Sequence, residues 1–134
     1  MYYGNSHLNL DALKEYGNID ERKLVVKDWL RTLTESFPSG KHTSNMCADT
    51  PYYIIATVQK EGNPYVLNAW DVPISSNSGF DVKAKNQLFE YYEMYKNKEG
   101  LIEKIISEYI YDRYDNDKSN TRPKLIESIL PHVL

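Results

Sequence analysis

His42, Cys47 and Asp49 share one short polar stretch and are the first side chains along the chain that could carry chemistry. A thiolate nucleophile needs a neighbouring base and a lowered pKa. A zinc site needs four ligands, with tighter Cys/His spacing than this. The two other histidines, His7 and His132, lie far away in sequence. The spacing therefore favours a loop that carries an unpaired thiol, with a Cys/His enzyme kept as an alternative.

Asp115, Asp117 and Ser119 have the one-three-five spacing of a calcium loop. Such a loop also wants glycine at its sixth position, for the turn, and glutamate at its twelfth, as a bidentate ligand. Those positions are Asn120 and Ile126. A solvated connection is expected there, and no metal or cofactor is assigned to the chain. Glu90, Glu93, Glu99, Glu103 and Glu108 could supply paired carboxylates for acid–base work. Glu99 and Glu103 share a helical face, whereas Glu103 and Glu108 do not. The glycines are isolated, so there is no phosphate-cradling loop, and neither a Gly-x-Ser-x-Gly elbow nor an HExxH pair occurs.

Tyrosine is the unusual residue, with 12 in 134. Periodicity places Tyr91, Tyr92 and Tyr95 on one helix and Tyr109, Tyr111 and Tyr114 on the next. Tyrosine can finish a core edge with its hydroxyl in water. It is also enriched at protein interfaces, where it buries much area at low entropy cost. Tyr91, Tyr95, Tyr111 and Tyr114 are the candidate partner-binding residues.

The elements that must position these side chains follow from pattern. Leu10 and Leu13 mark a short helix that stops at Gly17. A long helix spans about Asp20 to Phe37, with Asp20 as N-cap, Ile19 placed to staple onto Leu24, and Val26, Trp29, Leu30, Leu33 and Phe37 on one face. Residues 38–50 read as a loop. Residues 52–59 are aromatic and β-branched, which predicts a strand, and a turn at 60–64 leads to a return strand at 65–74. Asp81 can cap a helix carrying Leu88, Phe89, Tyr92 and Tyr95. A joint at 97–100 precedes a second helix, Leu101 to Tyr114, antiparallel to the first. A last short helix runs from Pro123 to Leu130. The expectation is one α+β domain over 1–134: N-terminal helices, a central antiparallel β-hairpin or small sheet, and a C-terminal antiparallel helix pair plus a short last helix.

Composition excludes several classes. Leu, Ile, Val and Phe number 32, about 24% of the chain, above the level of roughly 20% that marks disorder. The net charge is −3, with seven acids and six bases in residues 1–50 and ten and nine in residues 81–134. No basic stripe is available to neutralise phosphates, so nucleic acid is not expected as a partner. A single cysteine allows no intrachain disulfide. No apolar run approaches a membrane span of about 18 residues, and the first residues are not a signal peptide. The expected location is the cytoplasm.

From Trp70 onward, the run FDVKAKNQLFEYYEMYKNKEGLIEKIISEYIYDRYDND and then TRPKLIESILPHVL resembles small bacterial domains of unknown function found near polymorphic toxins and called immunity-like. Gln87, Tyr95, Asn97 and Tyr114 fill the places of that pattern: a Gln at the start of a helix, an aromatic and an Asn before a joint, and a Tyr at the end of the next helix. The resemblance covers the C-terminal half and carries over no catalytic residue. The absence of a catalytic constellation, the mild acidity, the single compact domain and the tyrosine surplus point to a non-enzymatic protein that inhibits or neutralises a macromolecular partner, as an immunity protein against a toxin, the form the resemblance implies, or as a phage counter-defence inhibitor of a defence effector. Self-association stays open. A small-ligand or nucleotide-sequestering protein, stacking a base on tyrosines, Trp70 and Arg113, is the alternative binding class.

Overall fold

Asn18 starts the first long helix by accepting the Glu21 backbone N–H on its side-chain oxygen at 2.9 Å. That bond satisfies one of the free N–H groups every helix start leaves over. The computed structural model describes residues 4–35, 51–60, 69 and 81–133. Helix α1 runs Ile19–Glu35. The cap is thus Asn18 rather than Asp20, which lies inside the first turn, where its charge still complements the helix dipole. Gly17, at φ +55°, turns the chain into this start. Ile19 and Leu24 both face solvent and do not staple the turn. Before it, Asp11–Glu15 is a 3-10 turn rather than an α-helix. The Asn9 side chain accepts the N–H groups of Asp11 and Ala12 there.

The chain divides into two compact units, one of residues 1–8 and 59–106, the other of residues 9–58 and 107–134. In the second unit, α1 packs against a short helix near the C-terminus and the 3-10 turn that follows it. Val26, Leu30 and Thr34 form the buried face of α1. Leu125, Ile126 and Val133 are the buried residues of the C-terminal segment. That helix, the last α-helix in the chain, is α3 and spans Arg122–Ile129. Thr121 caps it, accepting the Lys124 N–H, and Pro123 sits in its first turn, where no N–H is missed.

Two strands pair in one sheet, β1 (Tyr53–Gln59) and β2 (Ile105–Asp112). They are antiparallel. The Arg113 N–H donates to the Tyr52 carbonyl at one end, and the Lys60 N–H to the Lys104 carbonyl at the other. β1 lies where the sequence predicts a strand. Its partner among the described residues is β2, and the expected return strand at 65–74 falls largely outside the described residues. The partner is a segment that reads as the second helix of a pair. Ile105, Ile106, Tyr109, Ile110 and Tyr111 are β-branched or aromatic, and that content suits a half-buried pleated surface. The α+β class holds, and the C-terminal antiparallel helix pair is replaced by one helix and one strand.

In the first unit, α2 spans Asp81–Lys98. Ala84, Leu88 and Tyr92, each four residues on, are buried and make its inner line. Tyr92 is fully buried, and the Lys96 ammonium lies over its ring at 4.9 Å while pairing with Glu93 at 3.0 Å. The Gln87 side-chain amide donates to the carbonyl of buried Ala69 at 2.5 Å. Gly100, at φ +73°, ends this stretch, and a 3-10 turn at Leu101–Glu103 buries Leu101 before β2 begins.

Candidate partner-binding surface

The end of β2 and the turns after it hold Tyr111, Tyr114, Asp115, Asp117 and Ser119, all singled out in the sequence. Asp112 Oδ1 accepts the Tyr114 backbone N–H at 3.0 Å. Asp115 Oδ1 accepts the N–H of Asp117, and Asp117 Oδ1 accepts both the N–H and the hydroxyl of Ser119, at 2.9 and 2.6 Å. The Asn120 amide then donates to Asp115 Oδ2 at 3.0 Å and to the Ile110 carbonyl at 3.3 Å. Short polar side chains thus take over the backbone pairing that strand and helix no longer supply. The Ser119 hydroxyl, and then its N–H, hold the Asp117 carboxyl below the usual carboxylate range.

These bonds decide the fate of the one-three-five spacing. The Asp115 and Asp117 carboxylates point back onto their own loop, and Ile126 at the twelfth position is buried in α3. Among the described residues, no group of three His, Cys, Asp or Glu side chains is arranged to hold a metal ion. The shared face of Glu99 and Glu103 is lost as well, because the chain turns at Gly100 between them. His42, Cys47, Asp49 and Trp70 lie outside the described residues.

The four candidate tyrosines have separate settings. Tyr91 and Tyr95 are half-buried on α2 in the first unit. Tyr111 is 9% exposed and faces inward from β2, so it has little surface to offer a partner. Tyr114 is 57% exposed on the turn that ends the sheet. Its ring lies 6.2 Å from that of Tyr52, tilted by 48°. Tyr109, Tyr111 and Tyr114, expected on a second helix, lie instead on β2 and the turn that follows it.

Tyr52 was visible in the sequence only as a strand opener. The β1–β2 pairing makes it the neighbour of Tyr114, and no local pattern announces that. Arg122 is a second such case. Its guanidinium donates to the Thr34 carbonyl at 2.8 Å, across 88 positions of sequence, and so satisfies the open C-terminal end of α1.

Among the described residues, no helix is long and apolar enough to cross a membrane. A search of curated proteins and a search of solved structures each gave no match. A family model described as CT1975-like protein matches residues 1–128. The match takes in the first half of the chain, which the immunity-like resemblance left aside, and it is to a different family. By this match over nearly its whole length, the chain belongs to the CT1975-like family of CRISPR-associated proteins.

Proposed function

We propose that the chain is a small non-enzymatic protein that binds a macromolecular partner and inhibits it by covering a working surface. Family membership directs that reading toward a component of a CRISPR-associated defence system as the partner. The observation that carries it is Tyr114. Its ring is 57% exposed, and tyrosine is the kind of residue that anchors protein interfaces. Here it is backed by Tyr52 and mounted on a turn braced by six side-chain acceptor or donor bonds from Asp112, Asp115, Asp117 and Asn120. A preordered aromatic anchor loses little entropy on binding, which is how such residues come to dominate interfaces.

The test is a plasmid-interference assay in cells carrying a CRISPR-associated system, with the chain expressed or absent, alongside titration of the purified chain against the purified effector. Inhibition predicts that interference falls when the chain is present. Tyr114→Ala should weaken effector binding about tenfold or more, the range for a central interface tyrosine, with an unchanged melting midpoint. Unaltered interference together with no measurable binding would overturn the proposal.

A further inference from the structure

In an antiparallel ladder, alternate residues of a strand turn their backbone N–H and C=O groups toward the partner strand and away from it. The Arg113 N–H donates to the Tyr52 carbonyl, so Arg113 faces β1. Counting back along β2, Asp112 and Ile110 turn their backbone groups outward, to the edge that β1 does not cover. Both outward carbonyls are occupied from the turn that follows. The Asp112 carbonyl accepts the Asp115 N–H at 3.2 Å, and the Ile110 carbonyl accepts the Asn120 side-chain amide at 3.3 Å. That amide is itself anchored by its other bond, to Asp115 Oδ2 at 3.0 Å. The Asn120 backbone N–H donates to the Asp117 carbonyl at 3.1 Å and fixes the residue a second time. Asn120 Oδ1 is buried and, among the described residues, accepts no hydrogen bond, so the donor end of the side chain carries the contact. All of these groups belong to one compact unit.

The strand beneath this clamp is one that pairs readily. Residues 105–111 hold three isoleucines and two tyrosines, a single charge at Glu108, and neither proline nor glycine. Such a segment on an open edge is a template for a further strand, and an identical strand is the partner always at hand. We propose that Asn120 and the 112–120 turn form an edge guard. By holding the outward carbonyls of Ile110 and Asp112, they keep β2 from pairing with β2 of a second copy of the chain. A two-fold antiparallel pairing of that kind uses the same outward groups on both copies, and the guard withdraws them on both. This gives the turn a task separate from the display of Tyr114 and independent of the inhibitor reading.

Asn120→Asp keeps the size of the side chain and replaces its two donor bonds by a carboxylate set against the Ile110 carbonyl. Sedimentation velocity over a range of concentrations should find the full chain monomeric where Asn120→Asp forms dimers and larger species, a self-association tightened about tenfold or more. Ile106 is 48% exposed on the same strand, and a lysine on an edge strand opposes pairing. The double variant Asn120→Asp, Ile106→Lys should therefore return to monomer, which mere unfolding of the turn would not do. Asn120→Ser shortens the side chain without adding charge and should associate as Asn120→Asp does. Asp115→Ala, at an exposed position, removes only the anchor of the amide and should give the same association more weakly. It decides the matter if neither Asn120 variant folds by circular dichroism. The proposal is overturned if the folded variants stay monomeric, or if Ile106→Lys leaves their association in place. It is overturned equally if the unaltered chain already pairs and Ile106→Lys separates it.

Discussion

Ser119 illustrates how much one hydroxyl does on an exposed loop. It is the leading reason the Asp117 carboxyl is held down, followed by the Ser119 N–H. A carboxyl whose folded pKa lies below its unfolded one stabilises the fold above the unfolded value. That contribution fades as pH falls through the folded value. Ser119→Ala should therefore raise the Asp117 pKa toward the ordinary carboxylate value, read by carbon-detected NMR titration. The acid end of the stability profile should soften less in that variant than in the parent. Aspartate followed two residues later by serine is visible in the sequence as turn chemistry. Tyr52 as the neighbour of Tyr114 is not, because their approach depends on which strand pairs with which.

At the scale of elements, legibility divides by the kind of signal. α1, β1, α2 and α3 are legible because apolar period or β-branched content is consistent within each segment, even where the expected cap and staple of α1 do not form. Residues 101–112 carry apolar residues that satisfy a helical period as well as a strand pattern, so the local sequence does not separate the two. Long-range pairing with β1 then decides the outcome. Gly100 marks the change of structure. An added Cβ there would meet no atom within 4 Å, so any penalty comes from the backbone alone at φ +73°. Gly100→Ala should cost about 1 kcal/mol in chemical denaturation. Arg122→Met should cost about 1–2 kcal/mol by leaving the Thr34 carbonyl without its charged donor. Hydrogen exchange should quicken in the last turn of α1 and little elsewhere in that helix.

For the whole molecule, the tyrosine surplus has more than one use. Tyr92 is core, Tyr111 is nearly so, and Tyr114 remains at the surface. The scarce aliphatic residues therefore matter individually. Leu125 is 1% exposed, and Leu125→Ala should cost about 2–5 kcal/mol by thermal or urea unfolding. The class α+β was legible because it needs only the order of elements. The candidate surface was legible only in part, since it depends on contacts between residues far apart in sequence. Arg122 must find Thr34 across 88 positions, and Arg113 must find Tyr52 across 61. Such closures lose chain entropy before they gain contacts, and chains built on them fold slowly for their size. The route to the native state should therefore have its main barrier at the meeting of β1 with β2, after the helices have begun to form. Destabilising changes in that sheet should slow refolding, and Leu125→Ala should act more on unfolding.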